Sequence, residues 1–331
     1  MRLIVTGCLG FIGSHFCEMA IEQGHEVVGI DALTYAGRTK NLDLTKLESF
    51  YYCDINDSSI INHILNKHQP DAIVHFAAES HVARSIESRD EFLRTNVGGT
   101  NILLNESLKY WRGADMPFSS SESSTVKKFT FLHVSTDEVY GSIDNGSWTE
   151  KSSYCPNNAY SASKAASDHL VRAYQMTYGL PTIITHASNN IGTKQHPEKF
   201  IPTLIKQMLN GEPMTLHGDG LNVRDWLLVS DHCRGILLAL KYGKHGEVYN
   251  FGGLCERTNL DIAKLIAFHM GVSPNIKYIT NRAGNDKRYS TDISKANNEL
   301  KWLPFGQIED NISEIIEWYV KNPNYSDDYS K

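Results

Sequence analysis

The run Arg2-Leu3-Ile4-Val5-Thr6 leads straight into Gly7-Cys8-Leu9-Gly10-Phe11-Ile12-Gly13, and the reading of this stretch decides the fold. An unbroken apolar run is what a strand buried on both faces of a parallel sheet requires. Helical spacing follows over 11–23, with Gly24 placed to end that helix in a left-handed cap. Between strand and helix, glycines permit a tight turn, close approach of backbone to a pyrophosphate, and close packing of helix on sheet. The first N–H groups of the helix are unpaired and suit phosphate. Strand, glycine loop and helix in this order predict a dinucleotide site at Gly7, Gly10 and Gly13.

Strand-like and helix-like segments alternate beyond it. Strands are expected at 27–30, 50–53, 72–76, 129–134 and 182–185, and helices at 60–67, 90–111 and 160–178. Such alternation predicts an α/β fold, a doubly wound, Rossmann-like parallel sheet. The stretch 112–128 breaks the pattern and reads as a polar surface insertion. Past residue 186, prolines punctuate shorter elements, with helices expected at 199–209, 231–240, 259–270 and 308–320. The expected division is a dinucleotide-binding domain over 1–186, joined by part of 222–250, and a smaller, interleaved substrate lobe over 187–331.

Asp31 ends the second strand, where a carboxylate accepts hydrogen bonds from ribose hydroxyls and repels a 2′-phosphate. NAD is therefore expected over NADP, with Arg38 the residue that could upset this. Ser135-Thr136-Asp137-Glu138-Val139-Tyr140-Gly141 follows the strand at 129–134. Ligands of open α/β sheets bind outside the carboxyl ends of strands, so Thr136 and the two acids sit where chemistry is expected. Read alone, Asp137 and Glu138 are better taken as solvated loop acids or as caps of the next element, and the rest of the chain must decide.

Tyr160 and Lys164, four apart on a helix, share a face. A tyrosine base must ionise near neutrality, roughly three units below its ordinary pKa of about 10, which takes about 4 kcal/mol. One cation about 4 Å away at an effective dielectric near 20 supplies a similar amount. Lys164, with a positive nicotinamide ring, is the candidate.

Composition sets the outer limits. The chain has 331 residues, 41% hydrophobic and 21% charged, which is ordinary for a globular protein. A net charge of -6 argues against nucleic-acid and membrane-surface partners. No run of 18 apolar residues is present, and a strand at once from residue 2 leaves no room for a signal peptide. Six scattered cysteines without a CxxC pair suit a reducing, cytoplasmic setting. His75 and His81 lack metal-ligand spacing, so no metal is expected.

Further runs carry a resemblance. They are 31–37, His75-Phe76-Ala77-Ala78-Glu79-Ser80-His81-Val82, Thr95-Asn96-Val97-Gly98-Gly99-Thr100, and Tyr160-Ser161-Ala162-Ser163-Lys164. Beyond them stand Ser188-Asn189-Asn190, Pro197-Glu198-Lys199-Phe200-Ile201-Pro202, 218–226 and 282–289. With the threonine-acid-acid run, they resemble the extended short-chain dehydrogenases/reductases over nearly the whole chain, and within these the dTDP-glucose 4,6-dehydratases. Epimerases of the superfamily lack the paired acids, and the UDP-xylose-forming decarboxylases lack the aspartate.

The resemblance implies that Tyr160 takes the sugar C4 hydroxyl proton, Glu138 the C5 proton, and that Asp137 protonates the departing C6 oxygen, with Thr136 beside the tyrosine. It implies NAD contacts at Phe11, Ile12, Asp31, Ala32, Leu33, Thr34, Asp54, Ile55, Phe76, Ala77, Ala78, Glu79, Thr95, Tyr160, Lys164 and Asn190. It implies nucleotide-sugar contacts at Ser80, Thr136, Asn189, Lys199, Phe200, Thr215, His217, Arg224, Asn259, Arg282 and Asn285. It further implies a homodimer through helices at 96–111 and 160–178. Ala83, Ile191 and Asn285 depart from the family's aspartate, tyrosine and histidine, and the last two leave sugar or base preference open. UDP-glucose in place of dTDP-glucose, a 4-epimerase, and a non-catalytic NAD-binding module stand as alternatives.

Overall fold

The computed structural model describes residues 1–82, 85, 89–113, 127–281 and 284–325. Its strands are β1 (Arg2–Thr6), β2 (Glu26–Asp31), β3 (Ser49–Tyr52), β4 (Ala72–His75), β5 (Thr130–Thr136) and β6 (Thr182–Ala187). They continue with β7 (Asn189–Ile191), β8 (Met214–His217), β9 (Val223–Leu228), β10 (Val248–Phe251), β11 (Glu256–Thr258) and β12 (Ile276–Ile279). Seven of them form one sheet in the order β10-β6-β5-β4-β1-β2-β3, every neighbour parallel.

Side-chain alternation explains why these strands read as continuous apolar runs. Leu3 and Val5 of β1 face one core while Ile4 faces the other. Val74 and Leu132 share the first face, Ile73 and Phe131 the second. Helices cover both sides: Phe11–Glu22 and Val229–Tyr242 on the first, Ser58–His68, Thr100–Arg112 and Ala159–Tyr178 on the second. The chain moves outward from β1 through β2 to β3, then returns to place β4 on the opposite flank of β1. That reversal opens a crevice at the carboxyl ends of β1 and β4.

The division at residue 187 is not a boundary in packing. Helix Val229–Tyr242, β10 and helix Ser294–Leu300 all pack into the first face of the sheet. Trp302 is fully buried there, 4.7 Å from Phe251, and its Nε1 donates to the Asp231 carbonyl at 2.9 Å. Burial of a ring this size is worth about 3 kcal/mol or more against truncation to alanine, which binds the late chain to the sheet. The rest of 187–325 has its own core around Ile201, Leu204, Ile262, Ile266 and Ile312. There β7 and β11 flank β9, and β12 pairs β8, strands that periodicity alone did not indicate.

One expected helix is interrupted. In place of a regular helix over 90–111 there is a turn Arg89–Phe92, a π-helical segment Leu93–Gly99, then helix Thr100–Arg112. Asn96 accounts for the wide turn: its Oδ1 accepts from Glu79 N at 2.8 Å and its Nδ2 donates to Ser163 Oγ at 2.8 Å. The carbonyl of Asn96 accepts from the Thr100 and Ser167 hydroxyls, each at 2.6 Å. Of the insertion at 112–128, residues 114–126 lie outside the described residues. Among the described residues, no helix is long and apolar enough to cross a membrane.

Candidate active site

The acids are held by a turn that their own sequence makes. β5 runs two residues further than expected, so Thr136 still pairs with Ala187 of β6. A single turn, Asp137–Tyr140, follows, and Thr136 Oγ1 caps it by accepting from Glu138 N at 3.3 Å. The capping residue is thus the threonine, and neither acid is a solvated loop charge. Asp137 is 2% exposed, touches the Thr136 hydroxyl at 3.4 Å, and its Oδ2 has no hydrogen-bond partner. Burial first, then the charges of Glu138 and Asp225, push its pKa well above the carboxylate range. Glu138 is half-buried and also raised by burial, but Arg224 and a hydrogen bond from Asn158 pull it back. Both are shifted upward, Asp137 the further, because Arg224 and Asn158 act directly on Glu138 to offset part of its burial.

Tyr160 lies in the first turn of helix Ala159–Tyr178, which Asn158 caps by accepting from Ser161 N at 2.9 Å. Burial and the Glu138 charge raise the pKa of Tyr160, opposed by a hydrogen bond with Thr136. Lys164 is 3% exposed and donates to the Val134 carbonyl at 2.8 Å, with His133 Nε2 at 3.2 Å. Burial lowers its pKa to about 8. The ammonium of Lys164, expected to acidify Tyr160 together with a positive nicotinamide ring, is anchored on the Val134 carbonyl of β5, and the protein groups around Tyr160 by themselves shift it the other way.

The crevice fits a dinucleotide. Gly7 has φ +69°, and a Cβ there would stand 2.8 Å from Ala77 N. A Cβ on Gly13 would stand 2.1 Å from the Gly7 carbonyl, so helix and loop meet only because both are glycine. Asp31 accepts from Leu9 N at 2.9 Å and Leu33 N at 2.8 Å, which ties the carboxylate to the loop it serves. Arg38 is turned away, its guanidinium 4.2 Å over the Tyr325 ring and donating to the Tyr325 carbonyl at 2.5 Å. The residue that could have favoured NADP is thus occupied elsewhere. No group of three or more His, Cys, Asp or Glu among the described residues is arranged to hold a metal.

The model of the GDP-mannose 4,6-dehydratase family matches residues 4–315. A dTDP-glucose 4,6-dehydratase of Xanthomonas campestris pv. campestris is 45% identical over 97% of this chain and 94% of its own. A solved dTDP-glucose 4,6-dehydratase of Streptomyces venezuelae with NAD bound superposes with a TM-score of 0.91 at 41% identity, each chain fully covered. The chain belongs to the dTDP-glucose 4,6-dehydratase family. The fold does not by itself set this family apart. A UDP-glucose 4-epimerase of Thermotoga maritima reaches a TM-score of 0.88 at 29% identity, with 98% and 100% of the two chains covered.

Of the residues expected at the cofactor, all line the cleft except Leu33. Leu33 has φ +48° and packs toward the first core instead. Ser80, Thr136, Glu138, Asn189, Lys199, Tyr160 and Lys164 line the same cleft. Asp137 lies behind it, buried. Phe200, Thr215, His217, Arg224, Asn259 and Asn285 lie outside it on the lobe, and Arg282 lies outside the described residues. Phe200 stacks on Trp226 with ring centroids 6.1 Å apart, and Thr215 accepts from Gln207 at 2.9 Å. His217 Nδ1 lies 2.9 Å from the Thr280 carbonyl, and the Asn259 amide donates to the Asn222 carbonyl at 3.0 Å. Arg224 reaches the Asn285 side chain at 3.0 Å and sits 4.6 Å over the Tyr289 ring.

Sequence reasoning missed several lining residues, among them Tyr35, Arg94, Ser135, Ser188, Gln195, His196 and His232. Tyr35 lies within the run 31–37 and His196 borders the run 197–202, and their rings meet at 5.3 Å across the cleft wall. His232 gave no such signal; it enters from helix Val229–Tyr242 to contact Asn190 at 2.9 Å.

Proposed function

We propose that this chain is an NAD-dependent dTDP-glucose 4,6-dehydratase, forming the 4-keto-6-deoxy sugar with loss of water. The observation that carries this is the split between Asp137, buried and favouring its proton, and Glu138, facing the cleft under the pull of Arg224.

Tyr160, joined to the Thr136 hydroxyl, takes the proton of the sugar C4 hydroxyl as that carbon is oxidised. The new ketone acidifies the C5 proton, which Glu138 removes. Hydroxide leaves C6 poorly, so Asp137 delivers a proton to the departing oxygen. Proton transfers of this kind contribute about 10²–10⁴-fold each. Gly7, Gly10, Gly13 and Asp31 hold NAD, which supplies the acceptor and later the donor of one hydride, so no cofactor is consumed. The lobe cations Lys199, Arg224 and Arg282 offset the charge of the substrate diphosphate.

The division of labour follows: β1–β6 with β10 bind cofactor, and the lobe core binds nucleotide sugar. Helices Thr100–Arg112 and Ala159–Tyr178 form a homodimer interface, which a monomeric mass in light scattering would refute. The six free thiols, five of them buried, suit a reducing cytoplasm. Incubation with dTDP-glucose gives a product one water lighter and no net NADH; stoichiometric NADH, or no turnover with any nucleotide-glucose, refutes the reading. One methyl separates thymine from uracil, so UDP-glucose is discriminated by about 10–200-fold in kcat/KM.

A further inference from the structure

Behind Lys164 lies a buried polar cluster for which the chemistry above has no use. His133, on β5, places Nε2 3.2 Å from Lys164 Nζ and 3.3 Å from Asp168 Oδ1. Asp168 is one turn beyond Lys164 on the same helix and 1% exposed. Its Oδ2 meets His186 Nε2 at 2.9 Å and accepts from Ser135 Oγ at 3.1 Å. His186 Nδ1 in turn lies 2.7 Å from Tyr140 OH.

A carboxylate at this depth costs several kcal/mol unless it is paired. Burial would raise the pKa of Asp168, but the imidazoles of His133 and His186 hold it well below the carboxylate range, so it is an anion. His133 Nδ1 has no hydrogen-bond partner, and Asp168 Oδ1 has none beyond its 3.3 Å ion-pair contact with His133 Nε2. All the work of His133 therefore passes through Nε2, which at any moment either accepts from the ammonium or donates to the carboxylate. That one atom couples the protonation of Lys164 to the charge of Asp168.

We propose that Asp168, acting through His133, is the counter-charge that keeps Lys164 protonated where water is excluded, and is thus a positioning residue for the acid–base chemistry of Tyr160. The other titratable groups around Lys164 do not replace it. His75 of β4, its ring 5.2 Å from that of His133, is held neutral by burial and by His133 and Lys164. Tyr160 itself is faced by Asp137 and Glu138 from the turn after β5 and by Tyr35 from the loop after β2, all of which oppose its ionisation. Lys164, one turn beyond Tyr160 on the same helix, is the cation that the proposal sets against them with NAD bound, and Asp168 sustains it.

This rests on the reading of Tyr160 as a base assisted by Lys164, and the test is chosen to separate the two. With NAD added, the phenolate absorbance of the protein is titrated against that of its Tyr160→Phe variant, which isolates Tyr160 without any nucleotide sugar. The same difference is measured in Asp168→Asn and in His133→Leu. The expected result is a midpoint at least one pH unit higher in each, a ten-fold loss of phenolate, with the acid limb of kcat moving equally. An unmoved midpoint in a variant with an intact unfolding transition overturns the proposal and leaves Asp168 structural. If one variant does not fold the other decides, and failure of both assigns the pair to the fold and overturns it. Absence of any Tyr160 ionisation in the parent refutes the base itself instead.

Discussion

Asn158 ties together the two elements that carry the chemistry: its Nδ2 donates to Glu138 Oε2 at 3.4 Å while its Oδ1 accepts from Ser161 N at 2.9 Å. One amide thus caps the helix of Tyr160 and steadies Glu138. Asn158→Ala loses both and costs about 1 kcal/mol of stability through the cap. Asn158→Asp keeps the cap but sets a second negative charge beside Glu138, which raises the pKa of Glu138 and moves the acid limb of kcat upward. Urea unfolding and the pH profile of the two variants separate the roles.

Asp137→Asn removes a proton donor and also relieves a cost. Water elimination slows by about 10²-fold or more, while oxidation at C4 continues, so reduced nicotinamide absorbance accumulates. The folded-state pKa of Asp137 lies above its unfolded value of about 3.9, so its ionisation weakens the fold as pH rises. The asparagine variant is accordingly more stable than the parent at neutral and alkaline pH, and the gain vanishes as pH falls below the ordinary carboxylate range. Denaturant curves at several pH values check the sign.

Gly7→Ala strands a methyl 2.8 Å from Ala77 N in a left-handed backbone. The conformation alone costs about 1–2 kcal/mol, before the clash. The variant is expected to purify without NAD. Asp31→Ala frees Leu9 N and Leu33 N of the loop and loses charged hydrogen bonds worth about 1.5–3 kcal/mol each, a drop of at least ten-fold in NAD affinity. Calorimetric titration measures it.

Tyr325, from the far end of the chain, packs against Arg38, and its hydroxyl lies 2.9 Å from Asn41 Oδ1 and 2.6 Å from the Lys194 carbonyl, either of which can accept its one proton. Tyr325→Ala costs about 3 kcal/mol by the usual loss for a buried ring. It also unpins Arg38, so discrimination against NADP narrows; inhibition by NADP in parent and variant reads this out.

The parallel sheet, the glycine loop and the acids were legible because each rests on local pattern: an apolar run, a spacing, a strand end. The π-helical segment was not, since Leu93–Gly99 keeps apolar residues at helical spacing and its cause, Asn96 reaching Glu79 and Ser163, is tertiary. His133 carried no local mark of its role, since it sits in a largely apolar strand and its partners Lys164 and Asp168 come from another element. Placing Leu33 at the cofactor followed its neighbours in sequence, but a positive φ turns the side chain inward. The lobe positions from Phe200 to Asn285 were chosen for motif rather than position, and no periodicity says which face of a small sheet meets the cleft.

β10 joins β6 at the edge of the main sheet, yet it is made only after β7, β8 and β9. A chain emerging from the ribosome therefore carries β6 as a bare edge, open to pairing with strands of other nascent chains, throughout that interval. Helix Ser294–Leu300 and Trp302, later still, seal the same flank. Delay in the synthesis of this interval therefore lengthens the time for which β6 stays exposed. Slow codons between β6 and β10 would harm this protein more than the same codons between β1 and β2.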